Sequence, residues 1–483
     1  MEFKSRSSQL VAGLLAVASS AVLFWFGTGL DPFWPLLWFA PLPVLLFALR
    51  NSAANAAVVA ALALLLGSLN LWGYLRLQGA PFWVWLLVFS IAALAFAAGV
   101  ALFRALALRG HLWASWISLP AVWVSYEFIR NLATPHATAA DFAYTQLKFL
   151  PFLQLASVAG PWGMGFVLLL FPCGLALGIS MRSVAPRRAL LVTGATFAFL
   201  TAVLGFGTIR LLLPDRGEKV TVGLIATDGG VAKGGAPTHQ LFQGYAEKAA
   251  ELTRQGATVV VLPEKLGVVS NAATAQTDET FQPLADATGA TLVVGDVRVL
   301  PQAAYNEARI YTPGATPMTY DKHHLLPPFE SDLIPGTERV TLPRASQTWG
   351  VAICKDMDFT PLSRQYGRSG VGLMLVPGWD FNVDRAWHGH MAIMRGVEDG
   401  FNLVRAAKNG YLTVSDSRGR VIAEARSDSA PFATLLTQVP ATHTATLYLL
   451  LGDWFGWFAI LLVLLAVLQL FRGSPLQGDR LAD

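Results

Sequence analysis

The sequence predicts a chain of two natures, a polytopic α-helical membrane domain of about eight transmembrane helices and an α/β domain of about 230 residues. Three observations carry that expectation. Hydrophobic residues make up 54% of the 483 positions and charged ones only 14%, with a mean hydropathy of +0.49, too apolar for an ordinary soluble enzyme. The apolar residues are clumped into stretches of about 20, the length that crosses the hydrocarbon core as a helix. At LLLPDRGEK this pattern gives way to charge, glycine and short alternating runs.

Seven apolar runs precede that change, at about 8–28, 33–49, 54–75, 82–103, 112–130, 154–180 and 189–213, and an eighth covers about 446–471. The first follows Lys4 and Arg6, and AVASS within it resembles a signal cleavage site. Because further spans follow directly, it reads as an uncleaved anchor. Basic residues at span ends are retained on the cytoplasmic side. With the N-terminus inside, the inner connections carry Lys4, Arg6, Arg50, Arg104, Arg109, Arg182, Arg187, Arg188, Arg472 and Arg480, and the outer ones chiefly Arg76, Arg130, Lys148 and Arg210. Seven crossings then place the α/β segment outside the cytoplasm, and the last span returns the C-terminus inside. The expected domains are 1–213, 214–445 and 446–483.

The net charge of +4 comes from scattered basic residues and gives no stripe for nucleic acid. Cys173 lies in an apolar run and Cys354 in the polar half, so no disulfide framework is expected. Strand-like runs recur at VTVGLIA, ATVVVLP, TLVVGDVRV, ARIYTP, WGVAICK, GLMLVPG, FNLVRAA, YLTVSD and RVIAEA. Helix-like stretches include HQLFQGYAEKAAELTRQG and WHGHMAIMRGVEDG.

Three segments hold candidate chemistry. VVVLPE presents Glu264 at a strand's C-terminal end, where open α/β sheets place their sites, although a lone acid there is ordinarily a solvated loop residue. YDKHHLLPPFE places Lys322 after a strand-like run and Glu330 eight positions on, past two stiffening prolines. A single lysine is ordinarily a surface charge, and the adjacent His323 and His324 lack the spacing of a zinc site. WGVAICKDMDF ends a hydrophobic strand at Cys354. A strand cysteine is ordinarily a small buried hydrophobe, but Lys355 beside it favours the thiolate, and an acid, Asp356, lies two positions on.

Taken together and in this order, Glu264, Lys322 and Cys354 resemble the Glu-Lys-Cys triad of the nitrilase or carbon-nitrogen hydrolase superfamily. The thiol needs a base, and the oxyanion of an acyl intermediate needs a fixed positive donor. The spans on either side make the chain similar to the apolipoprotein N-acyltransferase family, through DPFWPLLWFAPLP, YEFIRN, LQLASVAGPWGMGFVLLL, YNEARIYTPG, YDKHHLLP and GDWFGW. WHGHMAIMRGVEDGFNLVRAAKNG resembles the family's long helix and following strand, with His388, Arg395, Glu398, Arg405 and Asn409 at its polar positions.

The resemblance implies a nitrilase-like αββα sandwich facing the periplasm, held in a bacterial cytoplasmic membrane. It implies acyl transfer from a phospholipid through a Cys354 thioester to a lipoprotein's diacylglyceryl-cysteine amine, by a monomer that needs no metal or organic cofactor. Glu264 is then the base, Lys322 the oxyanion donor and Cys354 the nucleophile, with Glu330, Asp356, Trp379 and His388 as substrate-binding or supporting residues. The chain departs from the family's Cys-Tyr-Glu at Lys355 and Asp356, from Asn-Asp-Ala-Trp-Phe-Gly at PGWDFNV, and from Gln-Gly-Asn at IATDGG. Lys265 also stands where a small or hydroxyl residue is common. Four alternatives remain: an N-acyltransferase acting on a different amine acceptor, a tethered amidohydrolase with the same residues, an inactive binding protein that keeps the fold, and a transporter, against which the scarcity of charges within the spans beyond Glu127 argues.

Overall fold

The computed structural model describes residues 6–79, 81–214 and 217–472. Lys4 and Arg480, used above for orientation, lie outside the described residues. The chain divides into two compact units. One comprises the described residues up to Thr134, those from Ala140 to Leu212 and those from Leu451 onward; the other comprises Pro135–Ala139 and Leu213–Leu450.

In the first unit five helices are long and apolar enough to cross a membrane by length and composition: Arg6–Gly27, Ala53–Leu77, Phe82–Leu108, Ala156–Met181 and Pro186–Leu212. They fall on five of the eight predicted runs, and the other three qualify the expectation of about eight spans. The run at 33–49 contains Pro35, Pro41 and Pro43, each without an N–H to donate, and forms a 3-10 turn, Trp34–Trp38, and a short helix, Leu42–Ala48. The run at 112–130 is a 22-residue helix, Leu112–Ala133, whose Ser115, Ser118, Ser125, Glu127 and Arg130 dilute its apolar character. The run at 446–471 is interrupted at Gly452, which turns left-handed at φ 66°, and its longer part, Trp454–Gln469, has 16 residues. The apolar stretch of Ala156–Met181 is 78% buried while that of Pro186–Leu212 is 22% buried, so the former is the unit's centre and the latter shows its apolar side chains outward.

The second unit is built on two sheets. The strands are β1 (Lys219–Ala226), β2 (Val259–Val261), β3 (Val268–Ser270), β4 (Thr291–Leu300), β5 (Ala303–Tyr311), β6 (Met318–Asp321), β7 (Val340–Pro343), β8 (Thr348–Val351), β9 (Leu373–Trp379), β10 (Asn402–Lys408), β11 (Tyr411–Ser415), β12 (Val421–Arg426) and β13 (Ala433–Pro440). One sheet has the order β13-β1-β2-β4-β5-β6, with β3 beside β4, and the other β12-β11-β10-β9-β8-β7. Each has a parallel centre (β1, β2, β4 and β8, β9, β10) with antiparallel margins. The sheets meet face to face, β1 and β2 against β10 and β4 against β9.

Helices cover the outer faces, making four layers. Gly235–Arg254 and Thr274–Thr288 pack on the first sheet and Trp387–Asp399 on the second. On β2 and β4 the alternation of side chains sends Val260, Leu262, Leu292 and Val294 outward, into a core with Phe242, Tyr245, Leu252 and Phe281. Val259, Val261, Val293 and Gly295 point the other way, between the sheets. The parallel centres deliver several strand C-terminal ends to the same region, the usual place for a site in such sheets.

Gly295 shows how closely the fold approaches that region. A Cβ built there would stand 2.3 Å from the Pro263 carbonyl oxygen and 2.7 Å from the Glu264 Cα, below any real contact. Backbone cannot yield as a flexible side chain can. Gly295→Ala is therefore expected to lower the unit's stability by about 1–3 kcal/mol, read as a lower unfolding midpoint in detergent, and to displace the loop carrying Glu264. An unchanged midpoint would mean that this loop has room the structure does not show.

Candidate active site

Three strand ends supply the three residues expected to act together. β2 runs on through Leu262, whose N–H donates to Val293, and stops at Pro263, so Glu264 stands just past the strand with its own N–H on the Gly378 carbonyl at 3.2 Å. Lys322 directly follows β6, and its N–H donates to the Asn306 carbonyl at 2.9 Å, continuing the ladder by one residue. Cys354 follows β8 and begins a 3-10 turn, Cys354–Asp358, with φ +43°. A non-glycine residue in that left-handed region is strained, a feature that gathers where side chains are presented for chemistry.

The structure brings Glu264, Lys322 and Glu330 into one buried cluster, each 1–2% exposed. The Lys322 ammonium donates to Glu264 Oε1 at 2.8 Å and to Glu330 Oε2 at 2.9 Å. Asn306 binds the same two acids through one nitrogen, its Nδ2 donating to Glu264 Oε1 at 2.6 Å and Glu330 Oε1 at 2.7 Å. Glu330 also accepts from the Leu326 N–H at 2.8 Å and from Lys265 Nζ at 2.7 Å. Burial works against the charge of Lys322, but the carboxylates of Glu264 and Glu330 outweigh it and hold the ammonium above its ordinary range. Burial likewise opposes ionisation of Glu330, and Lys322 and Lys265 override it, drawing the carboxyl down to about 2.

Cys354 lies beside this cluster. Its thiol donates to the Trp379 carbonyl at 3.6 Å, and Arg405 Nη2 approaches the sulfur at 3.9 Å. Burial, reinforced by the negative charge of Glu264, pushes the thiol far above the ordinary range, against the pull of Lys322 and Arg405. This corrects the expectation that Lys355 would favour a thiolate. The Lys355 side chain turns away, to Asp358 at 3.3 Å and over the Phe359 ring, so its charge is spent elsewhere. The Cys354 thiol is held in its protonated form.

Asp356, Trp379 and His388 stand around these residues. Asp356 accepts from Tyr320 Oη and the His324 N–H, both at 2.8 Å, and from the Ile353 N–H at 3.1 Å, tying the segment after Lys322 to the segment that carries Cys354. Trp379 offers its carbonyl to the thiol while its ring lies under two amines, Lys408 at 3.9 Å and Lys265 at 5.1 Å. His388 stands one layer back, between Asp358 at 3.7 Å and Asp384 at 3.4 Å.

Three groups escaped the sequence reading in these roles. Asn306 was visible only as the polar residue of YNEARIYTPG. Arg405, fully buried, makes a bidentate pair with Asp380 at 2.8 and 2.6 Å beneath the thiol, a partnership between β10 and the end of β9 that no local spacing reveals. Lys408 is 1% exposed and donates to the Lys265 carbonyl at 2.8 Å. Burial pushes its amine down to about 7, Glu264 opposing and Lys265 assisting.

Comparison with known proteins bears on both units. Residues 20–174 match the profile of the apolipoprotein N-acyltransferase N-terminal domain, and residues 234–441 match that of the carbon-nitrogen hydrolases. The apolipoprotein N-acyltransferase of Geobacter metallireducens is 26% identical over 382 residues, covering 71% of this chain and 72% of its own. That of Vibrio cholerae is 24% identical over 481 residues, covering 87% and 90%. Among solved structures, an amidase from Nesterenkonia sp. is 20% identical, with a TM-score of 0.41 over 47% of this chain and 93% of its own.

The charges around His388 make a pH prediction. Burial opposes its protonation, but Asp358 and Asp384 dominate and push the imidazolium up to about 10 from an ordinary value of 6.5. A raised value means that this contribution to stability is complete below pH 6.5 and is lost as pH climbs through about 10. Lys408 acts in the opposite sense above about pH 7, so the informative quantity is wild type minus His388→Asn. That difference in unfolding midpoint is expected to shrink steadily as pH rises from 6.5 to 10. A difference constant with pH would show that His388 is neutral in the fold.

Proposed function

The chain belongs to the apolipoprotein N-acyltransferase family of the nitrilase superfamily, and on that premise we propose that it moves a fatty acyl chain from a phospholipid, through a thioester on Cys354, to the α-amine of a lipoprotein's diacylglyceryl-cysteine. The observation that carries the mechanism is the buried cluster in which Lys322 is shared by Glu264 and Glu330 beside a protonated thiol. Such a thiol needs a base at hand, and Glu264 is the anion whose charge it feels most strongly.

In the first half-reaction Glu264 takes the thiol proton as sulfur attacks the ester carbonyl carbon. The carbonyl oxygen becomes an oxyanion. Lys322 has three N–H donors and spends two on the acids, which leaves one for that oxyanion. The carbon–oxygen bond then breaks, the departing alkoxide takes the proton from Glu264, and a lysophospholipid leaves. In the second half-reaction the neutral amine attacks the thioester, Glu264 accepts the amine proton, the carbon–sulfur bond breaks, and the proton returns to Cys354. The product is an amide. Arg405, held by Asp380, stabilises sulfur while it is anionic.

The five apolar helices support a membrane-embedded enzyme, as do substrates that are themselves lipid-anchored. The placement of Arg50, Arg104, Arg109, Arg182, Arg187 and Arg188 supports an orientation with the α/β unit on the periplasmic side of the cytoplasmic membrane.

Mass spectrometry of the full-length protein tests this reading. Wild type incubated with phospholipid is expected to gain one acyl mass on Cys354 and lose it to a diacylglyceryl-cysteine peptide that becomes N-acylated. Cys354→Ala should gain none. Glu264→Gln should acylate about 10²–10⁴ times more slowly, and Lys322→Met about 10²–10³ times. A wild-type adduct discharged only by water would make the protein a hydrolase, and no adduct under any condition would end the phospholipid-donor mechanism.

A further inference from the structure

Glu264 and Glu330 accept hydrogen bonds from the same Asn306 nitrogen, at 2.6 and 2.7 Å. Their bonded oxygens are therefore no farther apart than the sum of those two distances. Both side chains are almost completely buried. Two carboxylates so close and so dry repel each other, and a single cation balances only one of the two negative charges. Lys322 is one cation serving two acids. A site with that inventory alone leaves one negative charge of the pair without a counter-ion, which raises the pH at which the pair can take the thiol proton.

This chain supplies a second cation. Lys265 Nζ meets Glu330 Oε1 at 2.7 Å, and its side chain is 12% exposed. Its geometry is held from several sides. The backbone is left-handed at φ +48°, the Leu266 N–H is fixed to the Gly295 carbonyl at 2.9 Å, Lys408 donates to its carbonyl at 2.8 Å, and the Trp379 ring lies 5.1 Å from its ammonium. The left-handed turn carries the side chain from the residue after Glu264 to the far acid of the pair.

We infer that Lys265 is a positioning residue for the acyl transfer, pairing with Glu330 so that the second negative charge of the pair is balanced and Glu264 meets the Cys354 thiol as a base. The inference rests on the proposed thioester chemistry and concerns the charge inventory of that same site. The groups that face the pair are Lys265 from the turn after β2, Asn306 from β5, Lys322 after β6, the Leu326 N–H, Cys354 after β8 and, through its charge on Glu264, Lys408 from β10. Lys408 does not substitute for Lys265. Its contacts are the carbonyls of Lys265 and Gly230 and the Trp379 ring, and its amine loses its proton near neutrality.

The test is the pH dependence of Cys354 acylation by a p-nitrophenyl fatty ester, followed in the full-length protein as the burst of p-nitrophenolate. Lys265→Gln keeps a donor toward Glu330 and removes only the charge. Its acid limb is expected to lie about one pH unit or more above that of wild type, with plateau rates within a few-fold, while Lys265→Arg overlays wild type. In a Glu330→Gln background, where one carboxylate has Lys322 to itself, Lys265→Gln should add no displacement. Should Lys265→Gln not purify folded, Lys265→Met takes its place and must show the same shift.

An acid limb that stays put, or a displacement undiminished in Glu330→Gln, overturns the role assigned to Lys265. Failure of wild type to acylate from phospholipid while the ester burst persists is a different result. It removes the donor proposed above and leaves the ester profiles to judge Lys265.

Discussion

Two acids buried on one amide nitrogen repel each other, and the architecture around Glu264 and Glu330 is organised by that repulsion. Each brings a charge from water into a region where its field is poorly screened, a cost of several kcal/mol per ion unless partners are fixed in place. The partners arrive from different parts of the sandwich: Asn306 from within β5, Lys322 from the end of β6, Lys265 from the turn beyond β2. Removing any one leaves the others as uncompensated buried polar groups. Such a cluster contributes little net stability, and its place at converging strand ends marks it as a candidate site.

The sandwich meets this demand through two ordinary properties of sheets. Parallel centres bring the ends of β2, β8 and β9 to a common level, so Glu264, Cys354 and Trp379 converge although they are far apart in the chain. Alternation along a strand then sorts charge between faces. Asn306 faces the site, while its neighbour Glu307 points to the outer layer, where it is paired with Arg298 and Arg309. The closeness of the sheet to the Glu264 loop is tolerated because the facing residue, Gly295, has no side chain.

A second, independent set of charges lies behind Cys354. Lys355, Asp358, His388 and Asp384 alternate in sign, and Asp384 also accepts from the Phe381 N–H at 2.8 Å, holding the turn that follows Trp379. The departure of this chain from the family pattern after the cysteine is thus absorbed away from the acid cluster: Lys355 is neutralised by Asp358, and Asp356 ties Tyr320 and His324 to the turn that carries Cys354. The lysine after the glutamate had the opposite fate and joined the site.

By itself the sequence determined the two-part character of the chain, the apolar helices, the α/β nature of the segment after them and three candidate residues at strand ends, because hydrophobic period and residue chemistry are local. All nine quoted strand-like runs are strands. The short β3 and β7 and the late β13 passed unnoticed because three to eight residues of mixed polarity carry little periodic signal. Tertiary structure alone decided which of Lys265 and Lys355 joins the acid cluster, because a backbone turn at Lys265 aims it at Glu330 while the turn at Cys354 sends Lys355 toward Asp358. It decided equally that Asn306 bridges two acids and that Arg405 lies beneath the thiol. Those contacts join residues 24 to 51 positions apart, and their energy depends on distance and burial, quantities that exist only once the chain has folded.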